Sequence, residues 1–242
     1  MIALQKGRYY VRQAHGADDI ALAQRLRAIS FQTSSDRDAD VFDDRCTHIL
    51  IFRRSDDTLV CCFRMLSLVG PDIAQSYSAQ YYELSALQAY EGKMVEMGRF
   101  CIHPEVTDPD TLRVAWGAMT QYVDDNGVEL LFGCSSFAGT DTGEYLDAFA
   151  MLKARHLAPK RWLPRVKAPD VFKFAARLRR KPDAKKAMLR MPPLLKTYLM
   201  MGGWVSDHAV VDHDMNTLHV FTGVEIGAIP PARKRLLRAV AG

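Results

Sequence analysis

The sequence lacks the short motifs that mark several large classes of enzyme. It contains no GxGxxG segment and no Walker A segment, which argues against dinucleotide binding and P-loop chemistry. It has no HExxH pair and no CxxC pair, so no metal site is predicted. The five cysteines are an odd number, and several lie in apolar runs, where a thiol behaves as a small hydrophobic group. We therefore expect reduced cysteines.

Long apolar runs are also missing. No segment approaches the roughly 18 apolar residues of a membrane-spanning helix, and the most apolar candidate, residues 197–206, contains two glycines. Residues 1–16 show no apolar core flanked by cleavage-type small residues, so no signal peptide is predicted. With 242 residues, 48% of them hydrophobic and 25% charged, the composition is typical of a soluble globular protein. We expect one domain over residues 1–242 and a cytoplasmic location.

The charge is distributed very unevenly. Residues 1–152 contain 13 Lys and Arg against 22 Asp and Glu, whereas residues 153–196 contain 15 Lys and Arg against 2 Asp and Glu. The second segment, which we call the basic insertion, therefore carries a net charge of +13. Such a block favours an acidic partner, and nucleic acid, anionic lipid and an acidic carrier protein all qualify.

The first part of the chain predicts strands around one helix. A short strand is expected at 8–12, an amphipathic helix at 18–29, and a polar, acidic loop at 31–44 that could close over a site. Two apolar runs separated by Ser55-Asp56-Asp57 follow, at 48–52 and 59–66, and predict an antiparallel hairpin.

The remainder predicts a strand–helix–strand unit and closing strands. A strand is expected at 95–103, and a helix capped by Asp108-Pro109 is expected to end at Gly127. We further expect a strand at 128–133, helices at 143–155 and 194–201, and strands at 205–211 and 218–224. The fold class is thus α/β with a mixed sheet (α+β in character), helices on both faces and a partly helical basic insertion before the closing strands.

Two residues of the central strands are candidates for chemistry. Glu96 stands at the head of an apolar strand, where it is either a general base for an attacking amine or the partner of Arg99 or Arg64 in a salt bridge. Arg64 interrupts another apolar strand, so it is either an edge residue or the ligand of an anion. Gly98 predicts a bulge or a place where a ligand approaches the backbone, whose N–H groups could then hold a thioester oxygen.

Polar residues at the strand ends are weaker candidates. His103 precedes Pro104 at a loop boundary and is a second possible base. Ser135 and Ser136 do not form a GxSxG elbow, so they more plausibly donate hydrogen bonds or cap the strand. Cys134 beside them is a possible nucleophile, but no histidine is fixed beside it in the sequence.

The loop after His103 indicates which kind of acyl donor an acyltransferase with this sequence would use. An acyltransferase that uses acetyl-coenzyme A would place a glycine-rich pyrophosphate loop between Pro104 and Leu112. This chain has Glu105-Val106-Thr107-Asp108-Pro109-Asp110 there, and three acids would repel a diphosphate. A donor without the nucleotide, carried on a protein, fits better.

Several segments together resemble one enzyme family. Residues 95–104 (VEMGRFCIHP), 131–137 (LFGCSSF), 192–199 (PPLLKTYL), 202–207 (GGWVSD) and 212–217 (DHDMNT) resemble the ornithine N-acyltransferases of bacterial ornithine-lipid synthesis. Residues 77–85 fit the middle of the same family. These enzymes belong to the GNAT acyltransferase superfamily and are close to the acyl-homoserine-lactone synthases. The resemblance covers roughly residues 20 to 225, and it implies a GNAT-like fold.

The resemblance also implies roles for individual residues. Glu96 matches the Glu before the Arg-Phe pair of the lactone synthases, here Arg99-Phe100, and Arg64 matches their strand Arg. Arg27 and Phe31 match the N-terminal Arg and Phe of those enzymes. Asp40 and Asp44 fall in the acidic loop that helps to hold the amino-acid amine. The family's aromatic loop is replaced by Gln32-Thr33-Ser34-Ser35. This difference bears on which amino acid is the acceptor and not on the type of reaction. The substrate-binding residues implied are Arg64, Arg99, Asp40, Asp44, Phe100, Ser135 and Ser136.

The implied reaction transfers a 3-hydroxy fatty acyl group from acyl carrier protein to the α-amino group of L-ornithine and gives lyso-ornithine lipid, a phosphorus-free membrane lipid. No cofactor is implied beyond the phosphopantetheine that the carrier protein brings. The basic insertion, through Arg179, Arg180, Lys185 and Lys186, would dock the carrier protein or an anionic membrane surface at the inner membrane. Nucleic acid is not expected as a partner.

Two alternatives remain open at this level. One is a synthase of acyl-homoserine lactone or of another N-acyl amino acid. The other is a non-enzymatic module that binds membrane or nucleic acid through the basic insertion, with salt-sensitive binding and no thioester consumption.

Overall fold

The computed structural model describes residues 3–241. These residues form two compact units: the first contains residues 3–67, 97–128 and 231–241, and the second contains residues 68–96 and 129–230. Among the described residues, no helix is both long enough and apolar enough to cross a membrane. The single domain expected over the whole chain stays a prediction.

The described residues form twelve strands and seven α-helices. In chain order they are β1 (Ala3–Lys6), β2 (Tyr9–Gln13), α1 (Ala17–Phe31), β3 (Thr47–Arg53), β4 (Thr58–Leu68), β5 (Tyr82–Glu83), β6 (Met94–Ile102), α2 (Asp110–Asn126), β7 (Leu130–Ala138), α3 (Leu146–Arg155), β8 (Arg165–Val166), β9 (Val171–Phe172), α4 (Phe174–Arg177), α5 (Ala184–Arg190), α6 (Pro193–Met200), β10 (Trp204–Val205), β11 (Ala209–Asp212), β12 (Thr217–Glu225) and α7 (Pro231–Ala241).

The first unit is built on neighbouring antiparallel strands. β1 pairs with β2, β2 with β3 and β3 with β4, and β6, whose residues from Met97 onward belong to this unit, is the next neighbour of β4. The predicted hairpin is therefore confirmed. α1 buries Ala23 and Leu26 against Leu50, Phe52 and Cys62 of the sheet, so the apolar stripe of the helix supplies the core of this unit.

The second unit has a parallel pair followed by antiparallel strands. Met94–Glu96 of β6 pairs in parallel with Leu130–Phe132 of β7. β7 then pairs antiparallel with β12 along its whole length, β12 with β11, and β11 with β9. β5 and β8 form a separate antiparallel pair. The mixed sheet predicted from the sequence is confirmed.

The strands β7 and β12 of the second unit have two faces that differ in chemistry, because side chains alternate along a strand. Phe137, Leu218 and Val220 point to one face and form a core with Phe149 of α3 and Leu195 of α6. The neighbouring positions on β7 and β12 point to the other face, which we call the polar face.

Several element boundaries differ from the predictions. The strand expected at 128–133 continues to Ala138, so Ser135 and Ser136 lie inside β7 instead of capping it. The strand expected at 205–211 is interrupted, because Ser206 turns its hydroxyl to the carbonyl of His208 (2.7 Å) and accepts the amide of Phe221 (3.1 Å). α2 begins at Asp110, one residue after the predicted start.

Candidate active site

The carboxylate of Glu96 lies on the polar face, opposite Phe132 in the parallel ladder. Its side chain is buried, and its two oxygens accept the backbone amides of Tyr77 and Ser78, both at 2.7 Å, and the hydroxyl of Ser78 at 2.5 Å. Three donors around one carboxylate stabilise its ionised form. The short 3-10 turn at Ser78–Gln80 makes this possible because it aims two successive N–H groups at the same acceptor.

Cys134 stands beside this carboxylate. It follows Phe132 by two positions on β7, so both side chains point to the polar face, and its Sγ lies 3.4 Å from the hydroxyl of Ser78. Ser78 thus bridges Glu96 and Cys134. Ser78 lies in the family-like segment 77–85 but was not among the predicted site residues, because its contacts with Glu96 and Cys134 arise only when this segment folds against the sheet.

An aromatic pair and a histidine extend the polar face. The hydroxyls of Tyr77 and Tyr81 are 3.3 Å apart, and the ring of Tyr81 meets the ring of His219 edge-on, with 4.9 Å between centroids. His219 of β12 is paired with Ser136 of β7. Burial lowers the pKa of His219 to about 4, so this imidazole is neutral near pH 7. Sequence reasoning missed both Tyr81 and His219.

The two predicted serines lie on opposite faces of β7. Ser135 is buried on the core side and accepts a hydrogen bond of 2.9 Å from the hydroxyl of Thr222. Ser136 is exposed and points to the polar face with Cys134. Of the pair, Ser136 is thus the one on the same face as Glu96.

A second set of polar residues lies in the first unit, and we call it the ionic cluster. Arg64 of β4 is buried and contacts Asp40 and Asp43, each at 2.6 Å, so it is an inner-strand residue with carboxylate partners. Arg99 of β6 contacts Asp38 at 2.9 Å and Asp40 at 3.3 Å. The cluster consists of Arg27, Asp38, Asp40, Asp43, Arg64 and Arg99.

Asp43, which was not among the predicted site residues, holds the centre of the ionic cluster. Its carboxylate accepts hydrogen bonds from Arg27 (2.7 Å), Gln24 (2.9 Å) and Arg64 (2.6 Å). Burial alone would raise the pKa of this carboxyl, but these hydrogen bonds outweigh it and hold the pKa well below its ordinary value. The predicted neighbour, Asp44, is exposed.

The backbone of β6 turns at the residue after Gly98. Arg99 has φ 51, a left-handed conformation that is uncommon for a residue with a side chain, whereas Gly98 has no positive φ. The irregularity expected at Gly98 therefore lies at Arg99. Because alternation is broken there, the faces predicted for residues beyond 98 do not follow from simple counting.

The other candidate residues lie at separate places. The backbone amide of His103 bonds to the carbonyl of Val60 (2.8 Å), and its Nδ1 accepts the amide of Glu105 (3.3 Å), so this histidine shapes the loop after β6. Phe100 stacks on Phe63, with ring centroids 5.8 Å apart. Among the described residues, no group of three or more His, Cys, Asp and Glu is placed to hold a metal ion.

The predicted docking residues lie on the surface of the second unit. Arg179, Lys185 and Lys186 are exposed. Arg180 is also exposed but forms an ion pair of 2.8 Å with Asp147. Beside the lysines on α5, Leu189 is 78% exposed and Met188 is 44% exposed, so the helix presents apolar and cationic groups together.

The chain is similar to enzymes that transfer acyl groups. It matches the acetyltransferase (GNAT) domain family over residues 23–117. It is 31% identical over 229 residues to an L-ornithine N(alpha)-acyltransferase of Rhodobacter capsulatus, covering 88% of each chain. It is 30% identical over 207 residues to an L-ornithine N(alpha)-acyltransferase of Rhizobium meliloti, covering 80% of this chain and 68% of that protein.

One solved structure, an N-acyl amino acid synthase from uncultured soil microbes, is similar over 97% of each chain, with 10% identity and a TM-score of 0.49. The GNAT-like fold and the family resemblance predicted from the sequence are confirmed by the matched domain and by the two curated relatives. The chain belongs to the L-ornithine N(alpha)-acyltransferase family of GNAT-type enzymes.

Proposed function

We propose that the protein transfers a 3-hydroxy fatty acyl group from acyl carrier protein to the α-amino group of L-ornithine and releases lyso-ornithine lipid. The observation that carries the proposal is the relation to the L-ornithine N(alpha)-acyltransferase of Rhodobacter capsulatus, which spans 88% of both chains. The buried carboxylate of Glu96, which accepts three hydrogen bonds, supplies a group suited to the chemistry.

Glu96 is the proposed base. The α-ammonium group of the amino acid gives one proton to the carboxylate, directly or through a water molecule, and the free amine attacks the thioester carbonyl. The C–N bond forms as the C–S bond breaks, and the second proton of the amine passes to the departing thiolate of phosphopantetheine. Glu96 is preferred to His103 because the family resemblance matches it to the Glu before the Arg-Phe pair, and because its carboxylate is buried on the polar face, whereas His103 lies in the loop after β6.

The family resemblance assigns Asp40, Arg64 and Arg99 of the ionic cluster to amino-acid binding, and this assignment stays a prediction. The three acids and three arginines of the cluster largely pair with one another, and Asp40 and Arg99 keep side-chain exposures of 21% and 14%.

A carrier-bound donor is favoured by the start of α2. Asp108 accepts the amide of Asp110 (3.0 Å) and pairs with Arg8 (2.8 Å). The amide of Asp110 at the start of this helix, which could otherwise bind a diphosphate, is thus bonded to a carboxylate of the chain itself. We propose acyl carrier protein as the partner, docked weakly through the basic insertion, with no cofactor resident in the enzyme.

One assay tests the reaction. The purified protein is incubated with 3-hydroxyacyl carrier protein and each amino acid in turn, thiol release is measured, and the product is identified by mass spectrometry. We expect release with ornithine and a product of the mass of lyso-ornithine lipid. Release with a different amino acid, or with S-adenosylmethionine to give a lactone, would replace this function by one of the alternatives, and no release with any acceptor would contradict acyl transfer.

A further inference from the structure

His219 carries a hydrogen-bonding atom that the proposed mechanism does not use. The residue is 3% exposed, and its Nε2 is buried without a hydrogen-bond partner among residues 3–241. An unpaired buried polar atom costs free energy, so such atoms are rare in folded proteins unless something outside the chain satisfies them. The position of this atom beside Tyr81, on the same face as Glu96, makes it a candidate for contact with a substrate.

The tautomer of His219 follows from its other nitrogen. The hydroxyl of Tyr82 donates its single proton to the carbonyl oxygen of His219 at 2.8 Å, and the same hydroxyl oxygen lies 3.2 Å from Nδ1. Since that proton is used, we assign the ring proton to Nδ1, which donates it to the hydroxyl oxygen of Tyr82. Nε2 is then an acceptor with a free lone pair, and burial keeps the ring neutral.

The residues around His219 belong to the polar face that also carries Glu96. Tyr81 presents its ring to His219 and its hydroxyl to Tyr77, whose backbone amide holds Glu96. Asp212, 7% exposed, is the diagonal neighbour of His219, because Val210 pairs with His219 and Asp212 with Thr217 on the adjacent strand. Its carboxylate accepts the amide of Met215 at 3.0 Å.

We propose that Nε2 of His219 accepts a hydrogen bond from a donor group of the bound substrates, and so helps to decide which substrates are used. The chemistry required is an O–H or N–H donor, and two sources exist: the hydroxyl group of a 3-hydroxyacyl chain and the side-chain ammonium group of ornithine. His219 is thus a specificity-determining residue, and the assignment rests on the proposed function.

Two substitutions separate this role from a structural one. His219→Asn places an amide near the position of Nδ1, so it retains the contact with Tyr82 and removes the acceptor at Nε2. His219→Gln reaches the position of Nε2 and gives up the contact with Tyr82. If His219 only supports Tyr82, the Asn variant is the more native-like of the two. If Nε2 binds substrate, the Gln variant retains more of the selectivity. His213→Asn, at an exposed histidine of the adjacent turn, is the matched control.

The readout is a ratio of kcat/KM values for two substrates in one preparation, which cancels any loss of folded protein. One arm compares 3-hydroxyacyl with unsubstituted acyl carrier protein, and the other compares ornithine with norvaline, which lacks the terminal amine. In His219→Asn we expect one of the two ratios to fall by roughly tenfold or more, with His219→Gln closer to the wild type. The arm that changes identifies the source of the donor. Both ratios unchanged in His219→Asn would overturn the proposal.

Asp212→Asn refines the result. The Asn oxygen still accepts the amide of Met215, so the turn is preserved while the charge is removed. A fall of the ornithine-to-norvaline ratio in Asp212→Asn, but not in the exposed control Asp214→Asn, assigns the ammonium group as the donor. An unchanged ratio in Asp212→Asn assigns the hydroxyl group, provided that the acyl arm responds to His219→Asn.

Failure of the proposed function is distinguishable from failure of this inference. Absence of ornithine acylation by the wild type contradicts the proposed function alone. Thermal shifts of the wild type and of His219→Asn with 3-hydroxymyristate against myristate, and with ornithine against norvaline, then test the inference without turnover. Equal shifts of the two proteins within both pairs would overturn it.

Discussion

At the scale of the residue, Asp43 shows how strongly one buried carboxylate depends on its partners. It is 3% exposed and is bonded to Arg27 of α1 and to Arg64 of β4. Removing its charge would leave Arg27 and Arg64 with one carboxylate partner each, Asp38 and Asp40. The buried cluster would then hold three guanidinium groups and only two carboxylates, which is more costly than the loss of a surface pair. The stability of the first unit is therefore tied to this carboxylate.

We expect Asp43→Asn to lower the free energy of unfolding by about 3–5 kcal/mol, measured by urea denaturation. Asp44→Asn is the matched control, because Asp44 is the exposed neighbour; its effect should stay within about 0.5 kcal/mol. Similar losses in the two variants would contradict the role given to Asp43.

The pH dependence of stability follows from the same residue. The folded-state pKa of Asp43 is depressed, so its contribution is present above its unfolded pKa of about 3.9 and is lost as the pH falls below that value. Between about pH 4 and pH 2 the free energy of unfolding should therefore fall more steeply in the wild type than in Asp43→Asn. Parallel curves in chemical denaturation at several pH values would argue against it.

Glu96→Gln tests the base directly. The amide oxygen can still accept one donor from the Tyr77–Ser78 segment, but the amide NH2 faces another donor and cannot accept a proton. We expect kcat to fall at least tenfold. Ser78→Ala, which removes the hydroxyl contacts with Glu96 and Cys134 and keeps the carboxylate, is the control and should retain more activity. Thermal unfolding checks that both variants are folded. Wild-type turnover by Glu96→Gln would remove this residue from the mechanism.

The residue scale also shows what the sequence could not provide. Asp43 and Asp44 are adjacent and chemically identical, and only the positions of Arg27 and Arg64 decide which one is buried. His219 and Tyr81 come together across 138 positions of the chain, and the family-like segment 77–85 that contains Tyr81 does not indicate this contact. Glu96 and Arg64, by contrast, could be singled out because a charged side chain inside an apolar strand is conspicuous.

At the scale of the element, strand and helix types were predictable where the pattern is periodic. The hairpin of β3 and β4, the helices α1 and α2, and β6 and β12 follow from apolar spacing and lie close to their predicted bounds. β7 was predicted too short because the polar residues Ser135 and Ser136 indicated the end of a strand. In the structure β12 pairs with both residues, so the strand continues through them. The single strand expected at 205–211 failed because a side-chain hydrogen bond at Ser206 turns the chain.

Two glycines of the central strands provide an element-scale test. A Cβ on Gly98 would come no closer than 3.6 Å to Arg64, whereas a Cβ on Gly223 of β12 would lie 2.5 Å from the buried ring of Trp204. We expect Gly98→Ala to change the free energy of unfolding by less than about 1 kcal/mol and Gly223→Ala to lower it by about 1–3 kcal/mol. Equal effects in urea denaturation would contradict this packing argument.

At the scale of the whole molecule, the separation of charge along the chain has a structural counterpart. The basic insertion places Arg179, Lys185 and Lys186 on the surface beside exposed Met188 and Leu189, whereas Arg180 and Arg190 face the acids Asp147 and Glu144. The cations available to a partner are therefore fewer than the net charge of +13 indicates. Lys185 and Lys186, for which the described residues provide no ion pair, are the ones to test.

We expect the KM for acyl carrier protein to rise with ionic strength, because screening weakens attraction between exposed charges at separations near the Debye length of about 10 Å at 0.1 M salt. The double variant Lys185→Glu, Lys186→Glu should raise this KM about tenfold at low salt and flatten its salt dependence, with kcat nearly unchanged. The matched control is Arg25→Glu, Arg54→Glu, which makes the same change in net charge on exposed residues of the first unit. If both double variants raise the KM equally, net charge and not a docking surface is responsible. If only the Lys185 and Lys186 variant loses binding to vesicles of anionic lipid while its KM stays unchanged, the surface docks a membrane and not the carrier protein.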